Sequence, residues 1–82
     1  MSWRIAWTSP AERSLQLIPW KDAARVDAAV MQYAATGRGI VRRLSSDDAV
    51  TVRLRVASYR VRITMDPIEG VMWVWWVYRI DH

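Results

Sequence analysis

No cysteine occurs anywhere in this chain. Disulfides and thiolate metal sites are therefore excluded, and a reducing cytoplasm is compatible with the sequence and is the expected location. Histidine occurs once, as His82, and neither a metal site nor a cofactor is expected. Long apolar runs are missing as well. The longest, Val71 to Tyr78, falls far short of the ~20 residues a membrane span needs. No basic segment followed by an apolar one opens the chain, so no signal peptide is expected. Repeats, low-complexity tracts and linkers are absent, and the 82 residues read as a single domain, 1–82. Phenylalanine is missing and lysine nearly so: of 12 basic residues only Lys21 is a lysine and the others are arginines.

What is present starts with tryptophan. Six Trp and three Tyr supply large apolar area in a chain whose length allows it to bury only about 60–65% of its unfolded surface. With 52% hydrophobic residues, disorder is excluded. The net charge is +4. Arginine in place of lysine suits bidentate phosphate contact and stacking on bases. GC-rich codon usage would produce the same bias, so the placement of the arginines has to decide.

That placement is ordered. Val50, Val52, Leu54 and Val56 alternate with Thr51, Arg53 and Arg55, and after Ala57-Ser58, Tyr59, Val61, Ile63 and Met65 alternate with Arg60, Arg62, Thr64 and Asp66. Strict alternation predicts strands with one dry and one wet face. Arginines opposed on paired strands repel, by a few tenths to about 1 kcal/mol per pair, and a bound anion or an acidic partner segment would relieve them. After the turn Pro67-Ile68-Glu69-Gly70, a last strand places Val71, Trp73, Trp75, Val77 and Arg79 on one face and Met72, Val74, Trp76, Tyr78 and Ile80 on the other. Tyr59 and Tyr78 are both expected as core rings.

Upstream, Trp3, Ile5 and Trp7 alternate with polar or small residues, as in a short strand. Ser9 as N-cap, Pro10 and Glu12 as the closing residue of a capping box predict a helix to about Leu17, ended by Pro19. A second helix from about Lys21 turns Ala23, Val26, Ala29, Val30 and Tyr33 inward and stops at Gly37. Gly37-Arg38-Gly39 is too short to cradle a phosphate and reads as a helix stop. Ile40 to Leu44 reads as a connector and Ser45-Ser46-Asp47-Asp48 as a polar turn. The expected fold is α+β: an N-terminal strand, a helical hairpin and a three-stranded antiparallel meander, with the helices on one face of a four-stranded sheet.

This order resembles that of the RelE/ParE toxin family of bacterial toxin–antitoxin systems. Trp7-Thr8-Ser9-Pro10-Ala11, Ile18-Pro19-Trp20 and Arg43-Leu44 resemble its first helix start, inter-helix turn and basic-Leu pair. The run Val52-Arg53-Leu54-Arg55-Val56-Ala57-Ser58-Tyr59-Arg60-Val61 is similar to its core motif, and Val77-Tyr78-Arg79 stands where its last strand ends in a basic residue. The resemblance implies a type II toxin acting as a ribosome-dependent mRNA endoribonuclease that inhibits translation. Basic side chains would clamp mRNA while a ribose 2′-hydroxyl attacks the adjacent phosphate. The alternatives it implies are a toxin acting on DNA gyrase, or a non-catalytic relative that only binds nucleic acid or antitoxin.

Carried over residue by residue, Arg53, Arg55, Arg60 and Arg79 would stabilise the phosphorane, because fixed cations lower the energy of charge building on non-bridging oxygens. Arg62 and Arg43 would bind RNA, and Trp73 and Trp75 would stack on bases, unless they pack on an antitoxin or a second copy of the chain. Arginine cannot act as an ordinary general base. The acid/base candidates beyond Arg79 are Asp81 and His82, whose bland alternatives are an Asp81–arginine salt bridge and a frayed terminal residue. The implied partners are a cognate antitoxin and the ribosome with its mRNA, with homo-oligomerisation a further candidate and no membrane or small-molecule cofactor.

Overall fold

The computed structural model describes residues 2–44 and 50–80. The expected polar turn at Ser45–Asp48 and the candidates Asp81 and His82 lie outside the described residues.

Strand β1, Arg4–Trp7, pairs in parallel with the last strand, Arg4 opposite Val71 and Trp7 opposite Val74. Thr8 then turns the chain into helix α1, Ser9–Gln16. Its N–H donates to the Val74 carbonyl at 3.0 Å. Its hydroxyl donates to the carbonyls of Val74 at 2.9 Å and Trp75 at 3.0 Å and accepts from the Ala11 N–H at 3.3 Å. The N-cap is thus Thr8, one residue before the expected Ser9. The expected capping box does not form around it, because the N-cap N–H is already bound to the last strand and Glu12 sits one position too late. Pro10 lies in the first turn, where its missing N–H costs nothing.

Helix α2, Trp20–Thr36, buries Val26, Val30, Tyr33 and Ala34 on one stripe. It stops at Gly37, whose φ of 74° is left-handed and whose N–H donates to the Tyr33 carbonyl at 2.9 Å. At Gly39 the backbone runs so close to the core that a Cβ would lie 2.8 Å from Leu54 Cδ1.

Ile40–Arg43, expected as a connector, is a strand, β2, paired antiparallel with β3, Val50–Val56. All four of its residues are exposed, so no buried periodicity marks it in the sequence; pairing with β3 makes it a strand. Strand β4, Tyr59–Asp66, follows the two-residue turn Ala57-Ser58, and β5, Val71–Arg79, follows the turn at 67–70. In that second turn Asp66 Oδ1 accepts the N–H groups of Ile68 and Glu69. The sheet has five strands in the order β1-β5-β4-β3-β2, one more than expected, with two helices on one face. The α+β expectation holds with that addition. Leu54, Ile63, Met72, Val26, Val30, Val61 and Val74 are fully buried between helices and sheet, each worth about 1.5–3 kcal/mol.

One irregularity decides the rest. Arg62 stands opposite Trp76 and Ile63 opposite Val74, so Trp75 has no partner on β4 and bulges. The bulge reverses the facing of every residue beyond it relative to simple alternation. Met72, Val74, Val77 and Arg79 share the helix-covered face with Met65, Ile63, Val61 and Tyr59. Trp73, Trp76 and Tyr78 share the open face with Thr64, Arg62 and Arg60.

Candidate nucleic-acid interface

The open face carries a grid. Across β2, β3, β4 and β5 one row reads Ile40, Arg55, Arg60, Tyr78, and the next reads Arg42, Arg53, Arg62, Trp76. A third row holds Thr51, Thr64 and Trp73. Arginines stand directly opposite each other in the pairs Arg42–Arg53, Arg53–Arg62 and Arg55–Arg60. Among the described residues no carboxylate pairs with any of these arginines. Asp66, the nearest acid in sequence to the β4 arginines, has one carboxylate oxygen engaged by its own turn. Arg53, Arg55 and Arg60 line a small hollow of about 170 Å³ with Arg42, Ile40 and Val41. The Arg60 guanidinium is steadied there by donating from Nη1 to the carbonyls of Ala57 at 3.0 Å and Tyr59 at 2.9 Å. A concave cluster of guanidinium groups suits a phosphate.

The aromatic end adjoins it. Trp73 and Trp75 stack at 6.2 Å between ring centroids, 22° apart in plane. The Arg62 guanidinium carbon lies 5.7 Å from the Trp76 ring centroid, within cation–π range. Trp75 Nε1 donates to Thr64 Oγ1 at 2.8 Å, and Thr64 Oγ1 lies 3.1 Å from Thr51 Oγ1. Thr51, Arg62, Thr64, Trp75 and Trp76 line a pocket of about 420 Å³. Trp73, Trp75, Trp76 and Tyr78 are between 37% and 42% exposed, an unusual exposure for so much ring surface in one place.

Of the residues expected from the sequence, Arg53, Arg55, Arg60, Arg62, Trp73 and Trp75 come together on this face. Arg79 and Arg43 do not. Arg79 pairs with Tyr59 and Arg43 with Val52, both on the helix-covered face. The expectation that Arg53, Arg55, Arg60 and Arg79 form one cradle is therefore corrected: the bulge at Trp75 turns Arg79 away. Arg79 acts near the Tyr59 ring, whose hydroxyl donates to Asp22 Oδ2 at 2.8 Å. That bond to a carboxylate holds the Tyr59 phenol above its ordinary value of 10.0; burial and the Asp22 charge push the same way, and the Arg79 charge opposes them. Trp73 and Trp75 lie with Arg60 and Arg62 rather than with Arg79, and Tyr78 is an exposed ring opposite Arg60 rather than a core ring.

Arg42, Trp76 and Tyr78 went unnoticed in the sequence as members of this surface. A signal existed: the aliphatic positions of β5 that face the helices, Met72, Val74 and Val77, are spaced two and then three apart, which marks an inserted residue. Among the described residues no three metal-binding side chains converge, and no helix is long and apolar enough to cross a membrane.

No protein-family model matches the sequence, and no curated protein matches it. Solved structures do match in fold. A chain of the archaeal RelE–RelB complex from Pyrococcus horikoshii OT3 superposes with a TM-score of 0.84 at 18% identity, covering 96% of each chain. A chain of the toxin–antitoxin complex RelBE2 from Mycobacterium tuberculosis superposes with a TM-score of 0.79 at 20% identity, covering 98% of this chain and 100% of that one. Two helices on one face of a five-stranded mixed sheet give this chain a RelE-like fold.

Proposed function

We propose that this protein is the toxin of a toxin–antitoxin pair and that its open face grips mRNA on the ribosome and promotes its cleavage. The observation that carries this reading is the ladder of opposed arginines, Arg42–Arg53–Arg62 and Arg55–Arg60, with no carboxylate partner among the described residues. Such an arrangement costs folding energy and is relieved by a polyanion. Arg53, Arg55 and Arg60 surround one hollow and stabilise the phosphorane formed as a ribose 2′-hydroxyl attacks the neighbouring phosphate. Arginine cannot take the hydroxyl proton. Within the described residues the Tyr78 phenol, across from Arg60, is the group on this face suited to carry a proton. A cognate antitoxin lays an acidic segment over the arginines and silences the face; the similar folds were solved as a RelE–RelB complex and as the toxin–antitoxin complex RelBE2.

A second, non-catalytic reading is favoured by one observation: Arg79 stands on the other face and leaves the cradle without its expected fourth cation. Mapping mRNA ends after in vitro translation with the protein separates the two. Cleavage that Arg60→Ala lowers by about 100-fold or more supports the nuclease. Intact mRNA refutes it: supercoiling by gyrase left unaffected then supports the non-catalytic reading, and supercoiling blocked points to gyrase as the target.

A further inference from the structure

We infer that the pocket walled by Trp75 and Trp76 is a subsite for a single unstacked nucleobase, placed one step beyond the arginine hollow that holds the phosphate. The inference rests on the reading of the open face as an RNA surface and adds a specific ligand to it.

Three observations converge. The first is shape and lining. At about 420 Å³ the pocket lies within the range of small-molecule sites, and it combines apolar ring walls with few polar groups, as such sites do. The second is preorganisation. The Trp75 ring is held twice, by stacking on Trp73 and by its Nε1 bond to Thr64. The Thr64 hydroxyl in turn meets that of Thr51 at 3.1 Å. One of the two hydroxyl protons is used between them, and the other remains to address a base edge at the pocket floor. A ring fixed before binding loses little freedom when a base stacks on it. The third is juxtaposition. Arg62 belongs both to the arginine ladder and, through its contact with Trp76, to the pocket wall. A chain whose phosphate lies on Arg53 and Arg62 has its adjoining base over Trp76. A protein segment would find apolar surface here too, but a neighbouring arginine ladder without a carboxylate partner among the described residues, combined with ring platforms, matches single-stranded nucleic acid: charge for the backbone, rings for the bases.

The bulge supports the assignment. Without Trp75, β5 would alternate regularly, with Trp73, Trp76 and Tyr78 outward and Met72, Val74, Val77 and Arg79 inward. The extra residue adds nothing to the buried core and supplies the second ring of the pocket.

The test compares two fluorescent oligomers of equal length and charge by anisotropy, a uridine oligomer of RNA and an abasic ribose-phosphate chain. The wild-type protein should bind the uridine oligomer about 5- to 150-fold more tightly. Trp75→Ala should remove that preference while leaving abasic binding and its salt dependence unchanged. Thr64→Val, which keeps the volume and releases the Trp75 ring, should narrow it. Equal affinity of the wild-type protein for the two oligomers overturns the inference and leaves the tryptophans to a protein partner. So does a Trp75→Ala variant that loses affinity equally for both. A base preference without mRNA cleavage sinks the nuclease reading alone, and cleavage without a base preference sinks this inference alone.

Discussion

Thr8 shows how much one hydroxyl can hold. It caps α1, and it also ties the helix to the carbonyls of Val74 and Trp75 at the bulge. Thr8→Val keeps the shape and loses these bonds, and should destabilise the protein by about 1–2 kcal/mol in urea denaturation; a loss within the error of the method would refute the role. Ala57 carries a left-handed φ of 54° at the first position of its turn, a site glycine usually fills. Ala57→Gly should stabilise the hairpin by roughly 0.5 kcal/mol, the relief of strain exceeding the added chain entropy. Tyr59 and Tyr33 both titrate above their ordinary value of 10.0, Tyr59 chiefly through its bond to Asp22 and Tyr33 through burial. Above pH 10 the unfolded chain gives up phenol protons that the folded chain keeps. Their contribution is therefore complete below that pH and lost as pH rises through the folded values. Thermal unfolding should show a falling melting temperature above pH 10, with a shallower fall in Tyr59→Phe. The Tyr59 expectation, a ring on the dry face, was legible from alternation alone. Tyr78 was not, because its facing depends on the bulge at Trp75, which arises only from the tertiary pairing of β4 with β5.

At the scale of elements, β3 is the strained strand. Arg53 faces Arg42 on one side and Arg62 on the other. Replacing it by glutamine should stabilise the fold by about 0.4–2 kcal/mol, the sum of two relieved like-charge pairs, and added salt should shrink the difference by screening the wild type. A destabilised Arg53→Gln would mean that the ladder is already compensated within the chain. Strands β3 and β4 and helix α2 could be read from periodicity, since each buries a regular set of positions; α1, with Ala11 buried, could be read from its cap and proline signals. Strand β2 could not be read that way, because its residues are all exposed and only the neighbouring edge of β3 makes it a strand. The start of α1 was off by one residue for a related reason: Thr8 and Ser9 are equally good caps by composition, and the carbonyls of β5 select Thr8.

Over the whole molecule, charge and burial separate to opposite sides of one sheet. The helices cover one face, and the other is left to guanidinium groups and rings. Binding of single-stranded RNA should therefore weaken with salt with a log–log slope that falls by about 0.7 for each phosphate contact removed. Arg53→Gln and Arg55→Gln should each lower the slope by that amount, whereas Arg79→Gln, on the helix-covered face, should leave it unchanged. A slope that drops equally in Arg79→Gln would place the RNA path around the sheet edge instead of across the open face.

Local composition and alternation by themselves determined that this chain is an α+β domain with a wet, arginine-bearing meander, because side-chain period and turn chemistry are properties of neighbouring residues. Which arginines and tryptophans share a surface was decided only by the folded sheet. A single inserted residue in β5 inverts facing, and whether Trp75 is in step or out of step is settled by hydrogen bonds to β4 and to Thr8, residues far away along the chain.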